Sequence, residues 1–596
     1  MNRREFIWCA ASAATVSIPG MASPDADRAK DPRNYATGRD IPGKAYICQN
    51  YIVVTDDGGW LCVPTVGPAA EGNRAQHIVA TISNDRGRSW SSFIDIEPPG
   101  PPEASWAMPL KVPGGRVYVF YTYNDKNVSE YRGRKIRADT LGQFVFKYSD
   151  DHGRTWSKNR YTIPSRRFAI DRNNFSSGEI LLLWGVSKPI ITRGSVYFGA
   201  AKVGVPSIWS GPNEGIVLRS DNLLREKDPE KIGWDMLPEG DVGLRAPRGN
   251  IAEETFVVSL DNGDLYACFR TTDGYLGQAT SRDRGRTWAD RQYAVYQPGG
   301  LRIKNPRGPG TMQRFSNGKY LLHFFNNSGS LNRTDARPTT RNPGWLIGGV
   351  ERNGTIHWSQ PEICVYQESE YLGLSYPDFI EDDGRYYIAP TTKETARIFE
   401  LDKAMLDGLW NQRQLREVSR KGLLLEVPRA GPEPHRVSCP RLPDLRVGGG
   451  FAIDFWVRFS DLAPDQVLFD SRAEASKGVL VYTTAAPSLG IQVCDGLTTA
   501  AWDTDLDLFH RDRWHHVALI VDGGPRIISF AVDGILCDGR AERERGWLRF
   551  SNNLGDVNGS ADLKLAAALR GQMRQIRVYD RYLRTSEAIG NFQAGI

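Results

Sequence analysis

Residues that bind metals are scarce in this sequence. Its 596 residues include 8 cysteines and 8 histidines, and no two cysteines have the CxxC spacing of a zinc site. Cys9 lies in an N-terminal segment that we expect to be removed on export, and the odd number of cysteines that remains argues against a full disulfide framework. Cys48 and Cys62 flank one predicted hairpin and could pair after export, but we expect them first as buried thiols.

Strong charge of either sign is also missing. The formal net charge of +5 is small for this length, and no basic tract alternates with aromatic residues as nucleic-acid binding requires. The sequence contains no DxDxDG calcium loop, P-loop or Rossmann fingerprint, so no metal or cofactor is implied. A local basic cleft for an anionic ligand fits better. We interpret most basic residues of the predicted loops as solvated charges, but several that converged on the mouth of the fold would suit an acidic sugar. These loop residues are Arg132, Arg134, Lys135, Arg166, Arg167, Arg172, Lys188, Arg302, Lys304, Arg307, Lys393 and Arg397.

The N-terminal apolar run is too short to cross a bilayer, which disfavours a membrane anchor. The run ends near Val16, follows the paired arginines Arg3 and Arg4, and leads into small residues up to Ala22. This order is typical of a twin-arginine signal cleaved near Ala22, so we predict residues 1–22 to be a signal peptide and the mature chain to be periplasmic or extracellular. The polar residues 23–43 predict a flexible leader.

One eight-residue pattern, Ser-x-Asp-x-Gly-x-Ser/Thr-Trp, occurs three times. The copies begin at Ser83, Ser149 and Ser281, and the second interval of 132 positions is twice the first of 66. Degenerate copies are expected near Ser220 and around Gly354. A period of this length indicates an array of similar units, most plausibly the blades of a propeller.

Short strands and Asn/Asp-Gly turns alternate through the first two thirds of the chain. Hairpins of this kind are predicted around Asn262-Gly263, Asn317-Gly318 and Asp383-Gly384. The 60 Gly and 35 Pro suit many short strands joined by turns, so we predict an all-β protein with six blades in residues 44–402. Residues 403–438 then predict a closing helix near 406–414 and a Pro-rich linker at 427–434.

After residue 438 the alternation resumes in a different style. The apolar runs 451–459 and 514–522 resemble strands of the laminin-G-like, concanavalin-type jelly roll. We therefore predict a β-sandwich in residues 439–596. His515 and His516 are neighbours on a strand and would face opposite sides, so we interpret them as structural residues and not as a metal pair.

The repeated motif resembles the Asp boxes of the sialidase superfamily, which implies a six-bladed β-propeller. In that family arginines hold the substrate carboxylate, and a Tyr activated by a Glu is the nucleophile. The segment from Glu253 to Arg270 matches the family hairpin in which the activating Glu precedes a clamp arginine, which assigns those roles to Glu254 and Arg270. An ordinary surface salt bridge is the alternative.

Two further positions follow from the same resemblance. Tyr376 precedes the Asp383-Gly384 hairpin as the nucleophilic Tyr does, although a core or stacking Tyr is the simpler alternative. Arg341 suits the third clamp arginine, with Arg333 and Arg337 as competitors.

The sequence also departs from the family pattern. The first predicted strand, residues 47–51, has no arginine, so the clamp has at most two members. The expected acid/base Asp is missing as well, and Glu71 or His77 could take its place.

These observations favour an exported, exo-acting glycoside hydrolase for an anionic sugar of a glycan, whether sialic, uronic or sulfated. A lyase on uronic-acid glycans is a second hypothesis. A non-catalytic glycan-binding protein is a third, because propellers and jelly rolls are common binding scaffolds. No nucleic-acid partner is expected, and the sugar, its linkage and the oligomeric state stay open.

Overall fold

The computed structural model describes residues 28, 30–206, 211–289, 291–306, 308–330, 340–431 and 435–596. The predicted signal peptide and residues 23–27 of the predicted leader lie outside these ranges. Within them, none of the helices combines the length and the apolar character needed to cross a membrane. The described chain is a six-bladed β-propeller followed by a two-sheet β-sandwich, as predicted.

Each propeller blade is one antiparallel sheet of four or five strands. Blade 1 contains the strands Tyr46–Val54, Trp60–Gly67, His77–Ser83 and Ile94–Asp95. Blade 2 contains Ala104–Lys111, Val117–Tyr123, Gln143–Ser149 and Tyr161–Thr162. Blade 3 contains Leu183–Trp184, Ile190–Thr192, Ser195–Val203, Asn213–Ser220 and Asp235–Leu237. Blade 4 contains Glu253–Ser259, Leu265–Arg270, Gly277–Ser281 and Gln292–Tyr293. Blade 5 contains Thr311–Arg314, Tyr320–Phe324, Gly344–Arg352, Thr355–Trp358 and Glu362–Val365. Blade 6 contains Ser375–Asp382, Arg385–Thr391, Ala396–Glu400 and, from the N-terminal part of the chain, Arg39–Ile41. The first strands of blades 4, 5, 6, 1 and 2 contact one another in that order, and blade 3 contacts the first strand of blade 4 through Ser195–Val203, which places these strands around the central axis.

The strand Arg39–Ile41 closes the ring by pairing with Ala396–Glu400 of blade 6. It lies inside the segment that we predicted as a flexible leader, so that prediction is wrong for this part of the chain. Arg33, also in the segment, donates through Nη1 to Asp522 Oδ2 of the sandwich at 2.7 Å. Polar composition misled the prediction because both partners lie far away in sequence.

The three Asp boxes form one and the same turn. In the first, Ser83 Oγ accepts from the backbone N–H of Gly87 at 2.7 Å, and Asp85 accepts from the N–H four residues further on at 2.8 Å. The boxes that begin at Ser149 and Ser281 repeat both bonds. Gly87 has a φ of 78°, which side chains rarely adopt, so the motif needs glycine there.

The C-terminal domain packs two sheets around an apolar core. One sheet contains, in spatial order, Asn327–Ser330, Trp547–Arg549, Ile527–Val532, Trp514–Asp522, Phe451–Phe459, Gly571–Tyr579 and Leu423–Ala430, with Ile535–Leu536 on Ile527–Val532. The other contains His435–Ser438, Asp562–Leu565, Val467–Asp470, Gly478–Thr483, Leu489–Cys494 and Thr499–Asp503. The strand Asn327–Ser330 belongs to the propeller chain and pairs in parallel with Trp547–Arg549, so the two domains share a sheet.

Few of the described residues lie in helices, and the elements given next are those of the described ranges. The α-helices are Ala169–Arg172, Lys403–Asn411 and Thr585–Ala594, the 3₁₀ turns are Tyr35–Thr37, Ala138–Thr140, Pro229–Lys231, Leu445–Val447 and Glu474–Ser476, and Glu130–Tyr131 and Arg134–Lys135 form a small hairpin. The predicted closing helix begins at Lys403, earlier than expected, because the Asp402 side chain accepts from Met405 N–H at 2.9 Å and caps it. The predicted linker is also partly wrong, since residues 427–430 belong to the strand Leu423–Ala430.

Candidate active site

Tyr376, Glu254 and Arg270 form one hydrogen-bonded chain at the centre of the propeller. The Tyr376 hydroxyl donates to Oε1 of Glu254 at 2.6 Å, and Nη1 of Arg270 donates to the same oxygen at 2.8 Å. Glu254 lies on the first strand of blade 4, Arg270 ends the second strand of that blade, and Tyr376 lies on the first strand of blade 6. Propeller closure therefore brings together three of the residues predicted for the site.

Arg341 lies beside this chain, on the segment that leads into the blade-5 strand Gly344–Arg352. Its Nη1 donates to Oγ of Ser375, the neighbour of the tyrosine, at 2.8 Å. Burial and the nearby charge of Arg270 lower the pKa of Arg341. All four predicted site residues thus form one cluster, while the competing Arg333 and Arg337 lie outside the described residues.

Glu254 and Tyr376 owe their position to β-bulges. The register shifts at both residues, and their φ values are 51° and 38°. The first strands of blades 1 and 2 have the same irregularity, with Gln49 at a φ of 46° and Trp106 at 67°. Such bulges re-aim a side chain, and backbone strain of this kind collects at functional sites.

The sequence analysis missed Gln49 and Trp106. Like Glu254, each stands eleven residues before the next strand begins, so a comparison of strand spacing between blades would have found them. Those next strands begin at Trp60, Val117 and Leu265. The ring of Trp106 lies 6.4 Å from that of Tyr376 and 5.0 Å from that of Trp184, centroid to centroid, so aromatic side chains pack against one side of the cluster.

An outer layer of charged side chains covers the tyrosine. The ammonium of Lys393 lies 5.3 Å from the ring centroid of Tyr376 and forms an ion pair with Glu71. Arg137 Nη2 lies 2.9 Å from Oε1 of Glu71. Burial lowers the pKa of Lys393. Of the two acid/base candidates, Glu71 therefore lies next to the cluster, whereas His77 bonds to Lys44 at 2.9 Å.

In the described chain, the centre of this site is buried beneath partly exposed side chains. Tyr376 and Glu254 are each 1% exposed and Arg270 is 0% exposed, whereas Arg341 and Lys393 are partly exposed. A ligand must therefore displace part of this cover to reach the phenol oxygen.

The electrostatics of the cluster keep the phenol neutral. Burial and the Glu254 carboxylate raise the pKa of Tyr376 well above its usual value. Burial lowers the pKa of Arg270, but the charges of Glu254 and Glu253 have a larger combined effect. The pKa of Arg270 is therefore raised. A neutral phenol thus stands within hydrogen-bond distance of a carboxylate that can accept its proton.

Other predicted basic residues have different roles. Lys188 Nζ lies 2.9 Å from both carboxylate oxygens of Asp378, next to the site. Lys304 Nζ bonds to the carbonyls of Asp538 and Arg543 in the sandwich, both at 2.7 Å. Of the basic residues that we considered for the mouth, Lys393 is the one that contacts the tyrosine in the described chain.

The predicted thiols and histidine pair follow the sequence interpretation. Cys48 and Cys62 are buried, unpaired thiols. His515 Nδ1 lies 2.8 Å from Asp533, whereas His516 Nε2 lies 2.8 Å from Asp454, so the adjacent rings bond to different carboxylates.

Comparison with known families divides the chain in the same way. Residues 103–388 match the BNR repeat-like domain, and residues 435–589 match the concanavalin A-like lectin/glucanases superfamily. The chain combines a BNR repeat-like domain with a concanavalin A-like domain. This confirms the predicted resemblance, and the matched propeller region contains Glu254, Arg270, Arg341 and Tyr376.

Among solved structures, similar chains include sialidases. Trypanosoma rangeli sialidase with 2,3-difluorosialic acid is 14% identical, with 92% of this chain and 93% of that chain covered and a TM-score of 0.45. A Dyadobacter fermentans protein of unknown function is 14% identical (61% and 97% covered, TM-score 0.43), and a Hadza microbial sialidase is 17% identical (61% and 68% covered, TM-score 0.41). No curated relative matches the chain. Likeness at this level identifies neither an activity nor a substrate.

Proposed function

We propose that the chain is an exo-acting glycoside hydrolase for an anionic sugar, with Tyr376 as the nucleophile and Glu254 as its base. The observation that carries this proposal is the buried 2.6 Å hydrogen bond from the Tyr376 hydroxyl to Glu254 Oε1. A nucleophile and a base within hydrogen-bond distance, with the base held by a third group, is the usual arrangement of an activated nucleophile. Arg270 is that third group.

The reaction follows from the charges. An anomeric carbon close to an acidic group repels an anionic nucleophile, so a neutral phenol is the better attacking group. Glu254 takes the proton as the phenol oxygen bonds to the anomeric carbon and the glycosidic bond breaks. Water then attacks the same carbon, the bond to Tyr376 breaks, and the phenol oxygen regains a proton.

Two arginines are available to hold the acidic group of the sugar. Arg270 is shared with Glu254 and Glu253, so its charge is already partly balanced. Arg341 is partly exposed, whereas Arg270 is buried, so an incoming anion can reach Arg341 more directly. Its Nη1 bonds to Oγ of Ser375, beside the tyrosine, at 2.8 Å. We therefore assign the main contact with the acidic group to Arg341.

The leaving oxygen also needs a proton, and Glu71 is the carboxyl group that stands in the outer layer. Its ion pairs with Lys393 and Arg137 favour the ionised form. A substrate that displaces Lys393 from above the tyrosine would remove one of these pairs and make Glu71 easier to protonate. We propose Glu71 as the acid/base on this ground.

The test is turnover of a panel of sialylated, uronic-acid and sulfated oligosaccharides. The parent chain should release reducing sugar from at least one of them, and Tyr376→Phe should abolish the release. Tyr266→Phe is the matched control, because this buried tyrosine bonds to Gln278 at 2.9 Å in blade 4 and should keep full activity.

The outcomes separate the competing functions. Full activity in Tyr376→Phe removes this tyrosine from the mechanism. An unsaturated product that absorbs in the near ultraviolet identifies a lyase. Binding of the oligosaccharides without turnover over long incubation identifies a glycan-binding protein and rejects the hydrolase.

A further inference from the structure

A cleft of about 690 Å³ lies between the propeller and the sandwich. One wall is the propeller segment 368–371, which connects the last strand of blade 5 to the strand that carries Tyr376. The opposite wall consists of sandwich residues around Trp502, Arg526 and Arg549. The volume lies within the range of sites that bind small molecules or short oligosaccharides.

Two buried arginines of the sandwich line the cleft. Arg549 is 4% exposed and donates to two neutral acceptors, the carbonyls of Gln367 at 2.9 Å and Pro525 at 3.0 Å. Its Nη2 has no hydrogen-bond partner among the described residues, and neither does Nε of Arg526. Burial and the neighbouring Arg526 lower the pKa of Arg549 to about 9.

Two carboxylates, Glu368 and Glu370, line the cleft with the arginines, but Arg549 forms an ion pair with neither of them in the described chain. Arg526 Nη2 lies 3.4 Å from Glu370 Oε1, which is a loose ion pair on the propeller side. Arg549 makes no ion pair in the described part of the chain, and its hydrogen bonds satisfy donors without neutralising the charge. A buried cation of this kind is costly unless an anion comes close to it.

The rim of the cleft suits a sugar ring. Tyr371 is 51% exposed and lines the propeller side. Trp502 lines the sandwich side, with the guanidinium of Arg543 4.5 Å from its ring centroid. Exposed aromatic faces give a sugar an apolar surface to stack on, and the hydroxyls of Thr498 and Ser551 lie on the same lining.

We propose that this cleft is a second glycan-binding site, which takes an oligosaccharide through a sugar carboxylate at Arg526 and Arg549 and a ring on Tyr371. Arginine forks bind carboxylates by paired hydrogen bonds, and both side chains have N–H groups to offer. The ligand class is a carboxylated oligosaccharide, whether its acid comes from a sialic or a uronic residue. The site does not depend on the catalytic role proposed for Tyr376.

Titration calorimetry on the full chain tests the proposal. The probes are a sialylated trisaccharide, a trigalacturonate and neutral maltotriose. At least one acidic probe should bind, and maltotriose should not. Which acidic probe binds distinguishes a sialic from a uronic ligand.

Two substitutions should shift the affinity in opposite directions. Arg526→Gln should weaken binding of the acidic probe at least about tenfold, the size expected for a lost hydrogen bond to a charged group. Glu370→Gln should tighten it, because the competing carboxylate loses its charge. A purely structural role for this ion pair would make both variants bind worse, and that result would overturn the proposal.

Arg526 also donates to the carbonyl of Glu368 at 3.2 Å, so Arg526→Gln could weaken binding by disturbing the fold. Variants at exposed positions avoid this problem. Tyr371→Ala should weaken binding severalfold, whereas Leu372→Ala, at the next exposed position, should not. All titrations are made in the Tyr376→Phe background, so that the probe is not hydrolysed. If Arg341→Met in this background abolishes binding and Arg526→Gln does not, the probe occupies the central site and the cleft proposal fails.

Discussion

Glu254 and Tyr376 share one uncommon backbone conformation. Their φ values of 51° and 38° lie in the left-handed region, each at a bulge in the first strand of its blade, and a 2.6 Å hydrogen bond joins their side chains. Non-glycine residues in this region cost on the order of 1–3 kcal/mol each. The fold therefore holds this pair in place against local preference, which is the reason to expect function there.

Glu254→Gln should lower kcat roughly 10²–10⁴-fold, because the amide can still accept a hydrogen bond from the phenol but cannot take its proton. Glu362→Gln is the control. This buried carboxylate on the last strand of blade 5 accepts from the N–H of Ser586 at 2.9 Å and has no cluster residue among its hydrogen-bond partners in the described chain, so kcat of the variant should change little. Steady-state kinetics on the best substrate of the panel measures both. Equal losses in the two variants would contradict a base role for Glu254.

Arg341→Met should raise KM for the anionic substrate about tenfold or more, because a hydrogen-bonded charge contact is lost. The methyl ester of the same substrate lacks the charge and should show no such difference between the parent and the variant. Arg352→Met, at the exposed arginine that ends the blade-5 strand Gly344–Arg352, should behave as the parent. If Arg341→Met raises KM equally for the acid and for its methyl ester, Arg341 does not bind the charged group of the substrate.

Glu71→Gln should slow hydrolysis of alkyl glycosides much more than that of nitrophenyl glycosides. A nitrophenolate leaves without protonation, so only the poor leaving group needs the acid. A structural role through the pair with Lys393 would slow both substrates equally. The ratio of kcat/KM for the two leaving groups is the quantity to measure, and an unchanged ratio excludes Glu71 as the acid.

Local patterns made the propeller predictable. The Ser, Asp and Gly of each Asp box bond to residues of the same box, so the box forms the same turn in all three copies. The pairing of residues 39–41 with blade 6 was hidden, because a three-residue strand has no periodicity of its own. Pro428 suggested a linker, yet it lies in an edge strand, where a missing N–H is tolerated.

The site was less predictable than the scaffold. Glu254 and Tyr376 lie 122 positions apart, and only the family resemblance indicated that they meet. The Lys393–Glu71 layer and the cleft at Arg526 and Arg549 join segments that no local pattern connects. The sequence identified residue types with suitable chemistry. Only the closed ring of blades shows which of these residues are neighbours.

The ion pair between Lys188 and Asp378 should be a major support of the bulge at Tyr376. Lys188→Met leaves the Asp378 carboxylate, which also accepts from Ile52 N–H at 2.7 Å, buried without its cation. Loss of one partner of a buried pair costs about 3–5 kcal/mol. The double variant with Asp378→Asn should recover part of this loss. Urea unfolding of the parent, the two single variants and the double variant gives the coupling free energy between the two residues. If the losses of the single variants simply add in the double variant, the pair does not support the bulge.

The buried His323 should make stability fall in mild acid. Burial lowers its pKa to about 3 from an ordinary value of 6.5, and neither ring nitrogen has a hydrogen-bond partner among the described residues. Between pH 6.5 and 3 the imidazole of His323 binds a proton in the unfolded chain but not in the folded chain. The free energy of unfolding therefore decreases as the pH drops from 6.5 toward 3.

The slope contributed by this one group is roughly 1.4 kcal/mol per pH unit. His323→Leu should remove that contribution, so the free energies of unfolding of parent and variant should converge or cross as the pH is lowered from 7 to 5. Urea titrations at several pH values measure the difference. Two parallel curves would show that His323 takes up its proton in the folded state as readily as in the unfolded chain, and hence that the blade-5 core around it opens to water.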